Sequence, residues 1–207
     1  MKIISYVVRR DYGFAPNPFF DYCTLATCKP DIRKSAVIGD WIIGTSSKST
    51  GNSNKLVFAM KVTEKLTFDE YWGDKRFLIK RPILERSRKF QYGDNIYHQE
   101  NSEWVQIASH HSNEDGSINE LNVATDTKTE SILISEHFYY FGGNAVIIPE
   151  NLRKIIKVGP GHKYVNSDLH DDFLINFLSE YDLGINGSPL EWTRLHSQKT
   201  PQLTFQF

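Results

Sequence analysis

The stretch from Gly39 to Glu64, GDWIIGTSSKSTGNSNKLVFAMKVTE, constrains the possible folds of this chain more than any other. Trp41, Ile42 and Ile43 follow a Gly-Asp turn, and a ten-residue polar run then separates them from a second apolar, β-branched run at 56–62. Two apolar runs joined by a polar loop predict a β-hairpin. The first arm is too apolar to lie half in water. We therefore expect the hairpin to form the wall of a closed or nearly closed barrel at the core of the fold.

The chain of 207 residues is long enough to bury a substantial core without disulfide bonds. Its formal net charge of −1 excludes a protein that coats nucleic acid non-specifically, but not one with a local basic patch. Cys23 and Cys28 alone cannot form a four-ligand metal site. We expect both to be reduced thiols, because a disulfide across so short a spacing is not expected in a chain without a signal peptide. The chain has no apolar run approaching the roughly 20 residues that cross a bilayer, and its N-terminal residues become charged too early for a signal sequence. We expect a soluble, cytoplasmic protein without a membrane partner.

Small polar groups and positive charge surround the start of a predicted short helix, DIRKSAVIG, with Asp31 as its N-cap and Gly39 at its end. Backbone N–H groups at the helix start, together with Lys29 and Arg33, are suited to an anion such as a phosphate. A solvated helix with ordinary surface charges explains the same pattern. The small polar side chains beside this helix start are Thr24, Thr27 and Cys28.

One basic stretch, 74–89, holds seven positive side chains in sixteen residues: Lys75, Arg76, Lys80, Arg81, Arg86, Arg88 and Lys89. Such a concentration in a nearly neutral protein favours contact with a phosphate backbone. A solvated connector is the alternative interpretation. Just before this stretch, Thr67 and Glu70 form a predicted capping box for a helix that carries Tyr71 and Trp72.

The segment 90–104 has the highest density of side chains suited to catalysis or ligand binding. These include Tyr92, Asp94, Asn95, Tyr97, His98 and Trp104. A Gly-Asp-Asn turn here is able to direct an amide, a carboxylate and an imidazole into one cavity. Asp and Asn are also common in turns because their side chains form hydrogen bonds with the nearby backbone. A turn with a purely structural role is therefore the alternative. Asp94 and His98 are the candidate acid/base groups, and Glu136 and His137 form a second candidate pair.

Further along, the neighbouring His110 and His111 point apart on an extended chain, so we do not expect them to bind a metal together. The segment 119–130 is predicted to be irregular. Ser167 is predicted to cap a helix over 168–181 whose apolar face packs on the core. The sequence contains no disordered linker that would separate two independent domains.

The known short motifs of dinucleotide enzymes, NTPases, α/β hydrolases and zinc proteins do not occur in the sequence. Their absence favours a binding module and gives no reason to expect a cofactor or a bound metal.

Four sequence segments, YCTLATCKPDIRKSAVIGDWIIGT, KLVFAMKVTEKLTFDEYW, GDNIYH and YYFGG, resemble the family called nucleotide-modification-associated domain 2, which occurs in phages and bacteria. The resemblance covers about the first 150 residues. More distantly, the order of elements is similar to that of PUA-like domains of the EVE, YTH and ASCH types. This similarity implies an α+β fold with a small PUA-like β-barrel over 1–150. The sequence departs from the EVE-type proteins in an inserted basic and polar segment at about 74–130 and in a C-terminal helical extension over 151–207, which we expect to pack on the same domain.

PUA-like domains accept a flipped or modified base at the barrel mouth, so the resemblance implies a pocket between the first helix and the aromatic pair that follows the hairpin. Base stacking on a ring contributes about 1–3 kcal/mol, and polar groups then read the base edge. The ligand-binding residues implied there, together with those of the Gly-Asp-Asn turn, are Thr24, Thr27, Cys28, Lys29, Arg33, Trp41, Tyr71, Trp72, Asn95 and Tyr97.

The sequence therefore predicts a protein that binds a nucleic-acid base or nucleotide, modified in our interpretation, within a phage or bacterial DNA-modification or restriction system. The basic stretch would contact the nucleic-acid backbone. An enzyme that acts on a nucleotide or DNA base through Asp94 and His98 is the first alternative. A protein–protein interaction module with an aromatic surface is the second.

Overall fold

The computed structural model describes residues 1–47 and 53–193 and shows a mixed α+β fold. Its strands are β1 (Ile3–Val8), β2 (Cys23–Leu25), β3 (Trp41–Ser46), β4 (Lys55–Lys61), β5 (Glu64–Leu66), β6 (Tyr97–Glu100), β7 (Glu103–Gln106), β8 (Ile132–Ser135), β9 (His137–Tyr140), β10 (Val146–Ile147), β11 (His162–Tyr164) and β12 (Gly184–Ile185). Its α-helices are α1 (Pro30–Ser35), α2 (Phe68–Gly73), α3 (Arg88–Gln91) and α4 (Glu120–Asp126). None of these helices is long and apolar enough to span a membrane.

The predicted hairpin lies at the centre of the main sheet. β3 pairs antiparallel with β4, so that Trp41 lies opposite Lys61, and the full strand order is β11-β1-β3-β4-β9-β12 with β10 beside β4. β1 and β3 run parallel, so their carboxyl ends meet at the same edge. The hairpin prediction is confirmed, while residues 48–52 of its polar loop lie outside the described residues.

The predicted PUA-like barrel is not confirmed, because the described strands do not close on themselves. β11 and β12 are the two ends of the main sheet, and β2, β8 and β5 form a second sheet. Ile4, Tyr6 and Val8 of β1 pack against Cys23 and Leu25 of that second sheet. Two facing sheets bury the same apolar side chains that a barrel wall would bury, so the apolar pattern alone does not distinguish the two architectures.

The opposite face of the main sheet is covered by the C-terminal part of the described chain. Ile3, Trp41 and Ile43 pack there against Leu152, Ile155, Phe173, Phe177 and Leu178. Burial on both faces explains the continuous apolar runs in β1, β3 and β4. The helix predicted over 168–181 is instead a succession of short turns: 3₁₀ turns at Ser167–Leu169 and Leu178–Glu180 and a π-helical turn at Asp172–Phe177 between them. Other 3₁₀ turns cover Lys75–Lys80, Gly142–Asn144 and Glu150–Ile155.

Two of the three predicted helix starts, those at Asp31 and Ser167, differ from the prediction, since Ser167 lies inside a 3₁₀ turn that Asn166 precedes. The cap of α1 is Lys29 rather than Asp31, because Pro30 takes the first helical position, where its missing N–H costs nothing. The segment 119–130 is not irregular but contains α4, which Asn119 caps by accepting a hydrogen bond from the backbone of Asn122. The predicted capping box of Thr67 and Glu70 is confirmed in α2.

Gly44 of β3 lies at an irregularity in the pairing of β3 with β4, in contact with the core. A Cβ at this position would overlap the ring of Phe58 and a methyl group of Val8. We expect Gly44→Ala to lower the free energy of unfolding by about 1–3 kcal/mol, because overpacking forces the core to move. Urea titration measures the loss, with Gly73→Ala as the control, since a Cβ at Gly73 has no atom within 4 Å. Equal stability of the two variants would contradict this expectation.

Candidate functional site

A cavity of about 540 Å³ opens where the parallel strands β1 and β3 end. Small-molecule sites commonly occupy about 300–1,000 Å³, so this cavity has room for a ligand of nucleotide size. Residues at or just beyond the two strand ends contribute Val7, Arg9, Ser46 and Ser47. The remaining described lining residues are Lys29, Ser53, Asn54, Ile156, Lys157, Val158, Gly159, Pro160 and Gly161.

The cavity is positively charged. Arg9, Lys29 and Lys157 line it, and its described lining residues include no carboxylate. Lys29 Nζ lies 4.9 Å from the centre of the buried Tyr6 ring, so a cation–π contact holds the ammonium at the cavity wall. The Gly-Pro-Gly turn at 159–161 needs its glycines, because both have a positive φ, +76° and +81°. The arrangement is suited to an anionic ligand.

Beside this wall, Cys28 and Lys29 both have a left-handed backbone, with φ of 57° and 43°. This conformation costs a residue with a side chain about 1–2 kcal/mol. Two hydrogen bonds hold Cys28 in it: its N–H donates to Asp126 Oδ1 at 2.7 Å, and its carbonyl accepts from Arg33 Nε at 2.8 Å. Strain that the surrounding structure maintains is frequent at functional sites.

Cys28 is also the first member of a chain of three side chains. Its Sγ lies 3.8 Å from Nε2 of His111, and Nδ1 of the same ring lies 2.7 Å from Oδ2 of Asp126. Cys28 is partly exposed, the His111 side chain is 16% exposed and Asp126 is 2% exposed. A thiol, an imidazole and a buried carboxylate therefore follow one another in the order of a nucleophile, its base and the group that orients the base.

The carboxylate of Asp126 is held by hydrogen bonds to other groups in addition to the ring of His111. Besides the N–H of Cys28 and the ring of His111, its carboxylate accepts a hydrogen bond of 3.0 Å from the hydroxyl of Tyr97. Gln106 in turn donates to that hydroxyl at 3.1 Å and to the carbonyl of His111 at 3.2 Å. The carboxylate thus sets the position of both the cysteine backbone and the imidazole.

The pKa values of the two neighbouring histidines, His110 and His111, are shifted in opposite directions. Burial by itself lowers the pKa of His111, but hydrogen bonds to Asp126 and Cys28 and the charges of both groups outweigh it and raise the pKa to about 9. Burial, reinforced by repulsion from His111, lowers the pKa of His110 to about 4. In its protonated form the His111 ring donates from Nδ1–H to Asp126 and directs Nε2–H towards the sulfur of Cys28.

Cys28, His111 and Asp126 are also the described residues whose ligand atoms lie close enough together to hold a metal ion. An ion binds only one nitrogen of a given imidazole, however, and the two ring nitrogens of His111 face different partners. The 2.7 Å separation of Nδ1 and Oδ2 is a hydrogen bond, shorter than the roughly 3.3 Å that two tetrahedral ligands about 2 Å from one ion would show. The geometry fits a relay of hydrogen bonds better than a metal centre.

Asp94, one of the two predicted acid/base groups, belongs to a fully buried network. Its carboxylate accepts hydrogen bonds from Thr24 at 2.6 Å and Tyr71 at 2.8 Å. Lys80, predicted to contact a nucleic-acid backbone, is 0% exposed and donates to Thr24 at 3.1 Å and to Asn17 Oδ1 at 2.8 Å. Burial raises the pKa of Asp94 and lowers that of Lys80 to about 8, and the charge of each group partly offsets the effect on the other.

His98, the other predicted acid/base group, lies in a separate network. Its ring stacks on Trp72 with the ring centres 3.9 Å apart, and its Nε2 is 3.0 Å from Glu100 Oε1. The guanidinium of Arg81 lies 3.5 Å from the centre of the Trp72 ring. Protein groups therefore already stack on the indole predicted to receive a base.

The other residues of the predicted pocket do not converge on one cavity. Trp41 packs on the far face of the main sheet against His137 and Tyr139, whereas Tyr71 and Tyr97 belong to the cluster outside the second sheet. Asn95 is buried and donates to the carbonyls of Tyr71 and Phe77. Thr27 is buried too, and its hydroxyl has no hydrogen-bond partner among the described residues. Of the ten predicted ligand-binding residues, Lys29 alone lines the basic cavity.

The predicted basic stretch is only partly available to an external phosphate. Arg76 forms ion pairs with Glu64 at 2.9 Å and with Asp74 at 2.7 Å, and Arg88 donates to the carbonyl of Trp192. The side chains of Lys75 and Arg86 are exposed. Lys89 is exposed as well, so fewer cations of this stretch are available than the seven that the sequence contains.

Sequence reasoning did not identify His111 or Asp126 as partners of Cys28. His111 lies 83 positions and Asp126 98 positions beyond Cys28, so no local spacing connects them. Asp126 is the last residue of α4, a helix that the sequence analysis did not predict. Arg9 and Lys157 were missed as well, because neither lies in a recognisable motif.

A family model described as nucleotide modification associated domain 2 matches residues 1–196. No curated protein and no solved structure matches the chain. The match covers nearly all of the chain, including the inserted segment and most of the C-terminal extension, and so extends beyond the first 150 residues that carry the sequence resemblance. The chain therefore belongs to the nucleotide modification associated domain 2 family.

Proposed function

We infer that this protein binds a nucleotide in the basic cavity, with its phosphate groups held by Arg9, Lys29 and Lys157. The observation that carries this proposal is the cavity itself, which combines three cations with no described carboxylate in its lining. Such a site attracts anions, and phosphates form charge-assisted hydrogen bonds with guanidinium and ammonium groups. The description of the family, nucleotide modification associated, supports a nucleotide as the anion.

The proposed ligand carries a modified base, and its setting is a phage or bacterial DNA-modification system. The apolar side chains of Val7, Ile156 and Val158 line the same cavity as the cations. A ligand with a charged and an apolar end fits such a lining better than inorganic phosphate does. Recognition of the modification itself would come from the end of the cavity remote from the three cations.

The test is the melting temperature of the protein with a panel of unmodified and modified nucleoside monophosphates and triphosphates. A ligand present at about one hundred times its dissociation constant stabilises a protein by about 2.7 kcal/mol, which raises the melting temperature by about 5–10 °C for a chain of this size. We expect Lys157→Gln to remove most of this shift. Lys61→Gln is the matched control, since Lys61 is exposed at the opposite end of β4 from the cavity. No shift with any nucleotide would contradict the proposal.

A second arm of this experiment tests whether the ligand is part of a nucleic-acid strand. In that case a short oligonucleotide shifts the melting temperature more than a mononucleotide does, because the exposed Lys75 and Arg86 add backbone contacts. Replacing both with Gln is then expected to weaken oligonucleotide binding and to leave mononucleotide binding unchanged. Equal effects of the double variant on both ligands would contradict a backbone role for these two residues.

A further inference from the structure

We propose that Cys28 is a catalytic nucleophile, activated by His111 as general acid/base and positioned by Asp126, for acyl transfer from an ester, thioester or amide. This activity is separate from nucleotide binding in the cavity and does not depend on it. Three features of the structure support it: the relay formed by the side chains of Cys28, His111 and Asp126, the strained backbone of Cys28 and the partial exposure of Cys28 to solvent.

The relay is more specific than a chance neighbourhood of polar groups. Both nitrogens of His111 have a partner, Asp126 on one side at 2.7 Å and the sulfur of Cys28 on the other at 3.8 Å. A sulfur–nitrogen distance of this length is compatible with an unliganded site, which commonly tightens when substrate binds. The carboxylate that orients the ring also holds the backbone N–H of Cys28, so one buried group aligns both reacting partners.

The strain and exposure of Cys28 indicate a role beyond packing. A buried structural cysteine needs no left-handed backbone, and the second cysteine, Cys23, shows the contrast: it lies in β2 and is 0% exposed. Cys28 is partly exposed and carries a φ of 57°. A neighbouring imidazolium favours the thiolate form of a cysteine, and the thiolate is the reactive form.

The chemical step uses groups that are present in the site together with water. The Cys28 thiolate attacks the carbonyl carbon of the substrate and forms an S–C bond, and the bond from that carbon to the leaving oxygen, sulfur or nitrogen breaks. His111 Nε2 gives its proton to the leaving group. Neutral His111 then takes a proton from a water molecule that attacks the thioester, which releases the carboxylic acid and restores the thiolate and the imidazolium.

The first test is the rate of alkylation by iodoacetamide at pH 7, followed at each cysteine by peptide mass spectrometry. We expect Cys28 in the folded protein to react at least about tenfold faster than Cys28 in the guanidinium-unfolded protein, because Nε2 of His111 lies 3.8 Å from its sulfur and a neighbouring imidazole activates a thiol. Cys23 is expected to stay unmodified until the protein unfolds and so reports on folding in the same sample. A folded-state rate no higher than the unfolded-state rate overturns the proposal and requires no variant.

Variants then assign the effect to the relay. His111→Gln is expected to lower the alkylation rate of Cys28 by about tenfold or more, whereas His110→Gln, the matched control at the neighbouring position, leaves it unchanged. Asp126→Asn keeps an oxygen for the N–H of Cys28 but not the charge that holds His111 protonated. The Asp126→Asn variant is expected to shift the pH dependence of the Cys28 alkylation rate, while Cys23 stays protected from alkylation. An unchanged rate in folded His111→Gln overturns the proposal.

The second test concerns acyl transfer itself, with p-nitrophenyl acetate as the probe. The expected result is a burst of p-nitrophenolate equal to the enzyme concentration and an acetyl group found on Cys28 by mass spectrometry. Cys28→Ser is expected to abolish both signals. Failure to detect acetylated Cys28 in the wild-type protein overturns acyl transfer as the reaction.

Discussion

Lys80→Met is expected to lower the free energy of unfolding by about 3–5 kcal/mol, the loss typical of removing one partner from a buried set of charges. The ammonium of Lys80 is 0% exposed and donates to the carbonyls of Asn17 and Tyr22 as well as to two side-chain oxygens. Met has a similar volume but no donor. The variant therefore leaves Asp94 buried without a nearby positive charge and leaves several acceptors unsatisfied.

Urea titration measures the effect, and Lys75→Met is the matched control. Lys75 lies in the same 3₁₀ turn, Lys75–Lys80, but its side chain is exposed, so its replacement is expected to change stability by less than about 0.5 kcal/mol. Adding Asp94→Asn to Lys80→Met is expected to recover part of the loss, because it removes the uncompensated carboxylate. A loss below about 1 kcal/mol in Lys80→Met would show that water enters the network and replaces the ammonium.

The central hairpin was predictable because its pattern is local. The apolar arms of β3 and β4 lie in one stretch of sequence, and so does the capping box of Thr67 and Glu70 in α2. The closure of the sheet was not predictable in the same way. Whether β11 and β12 pair depends on contacts between strands far apart in the sequence. The periodicity of apolar side chains indicates which residues are buried, but not which strands pair with each other.

The candidate site was harder to predict than the fold. Cys28 and Lys29 were identified from the sequence, since they precede a helix among small polar and basic residues. Their partners were not identified, because His111 and Asp126 come from a loop and a short polar helix that only tertiary contacts bring together. Asp94 and Lys80 show the opposite case: both have residue types suited to a site, but the structure buries them in a network of hydrogen bonds to other protein groups.

Arg33 connects the fold to the candidate catalytic site. Its guanidinium is buried and donates to the carbonyls of Cys28, Ser131 and Asp126, so it ties α1 to the end of α4 and to the residue before β8. Burial lowers its pKa to about 10, and the charge of Asp126 partly offsets this effect. The arginine therefore remains charged at neutral pH and donates to three backbone carbonyls.

Arg33→Met is expected to lower the free energy of unfolding by about 3 kcal/mol or more, because the three carbonyls lose their donor at once. In the protein that remains folded, the alkylation rate of Cys28 is expected to fall towards that of the unfolded chain, since the carbonyl contact helps hold its left-handed backbone. Lys34→Met, at the exposed neighbouring position of α1, is the control for both measurements. A large loss of stability with an unchanged alkylation rate would show that Arg33 supports the fold alone and that Asp126 suffices to position the cysteine.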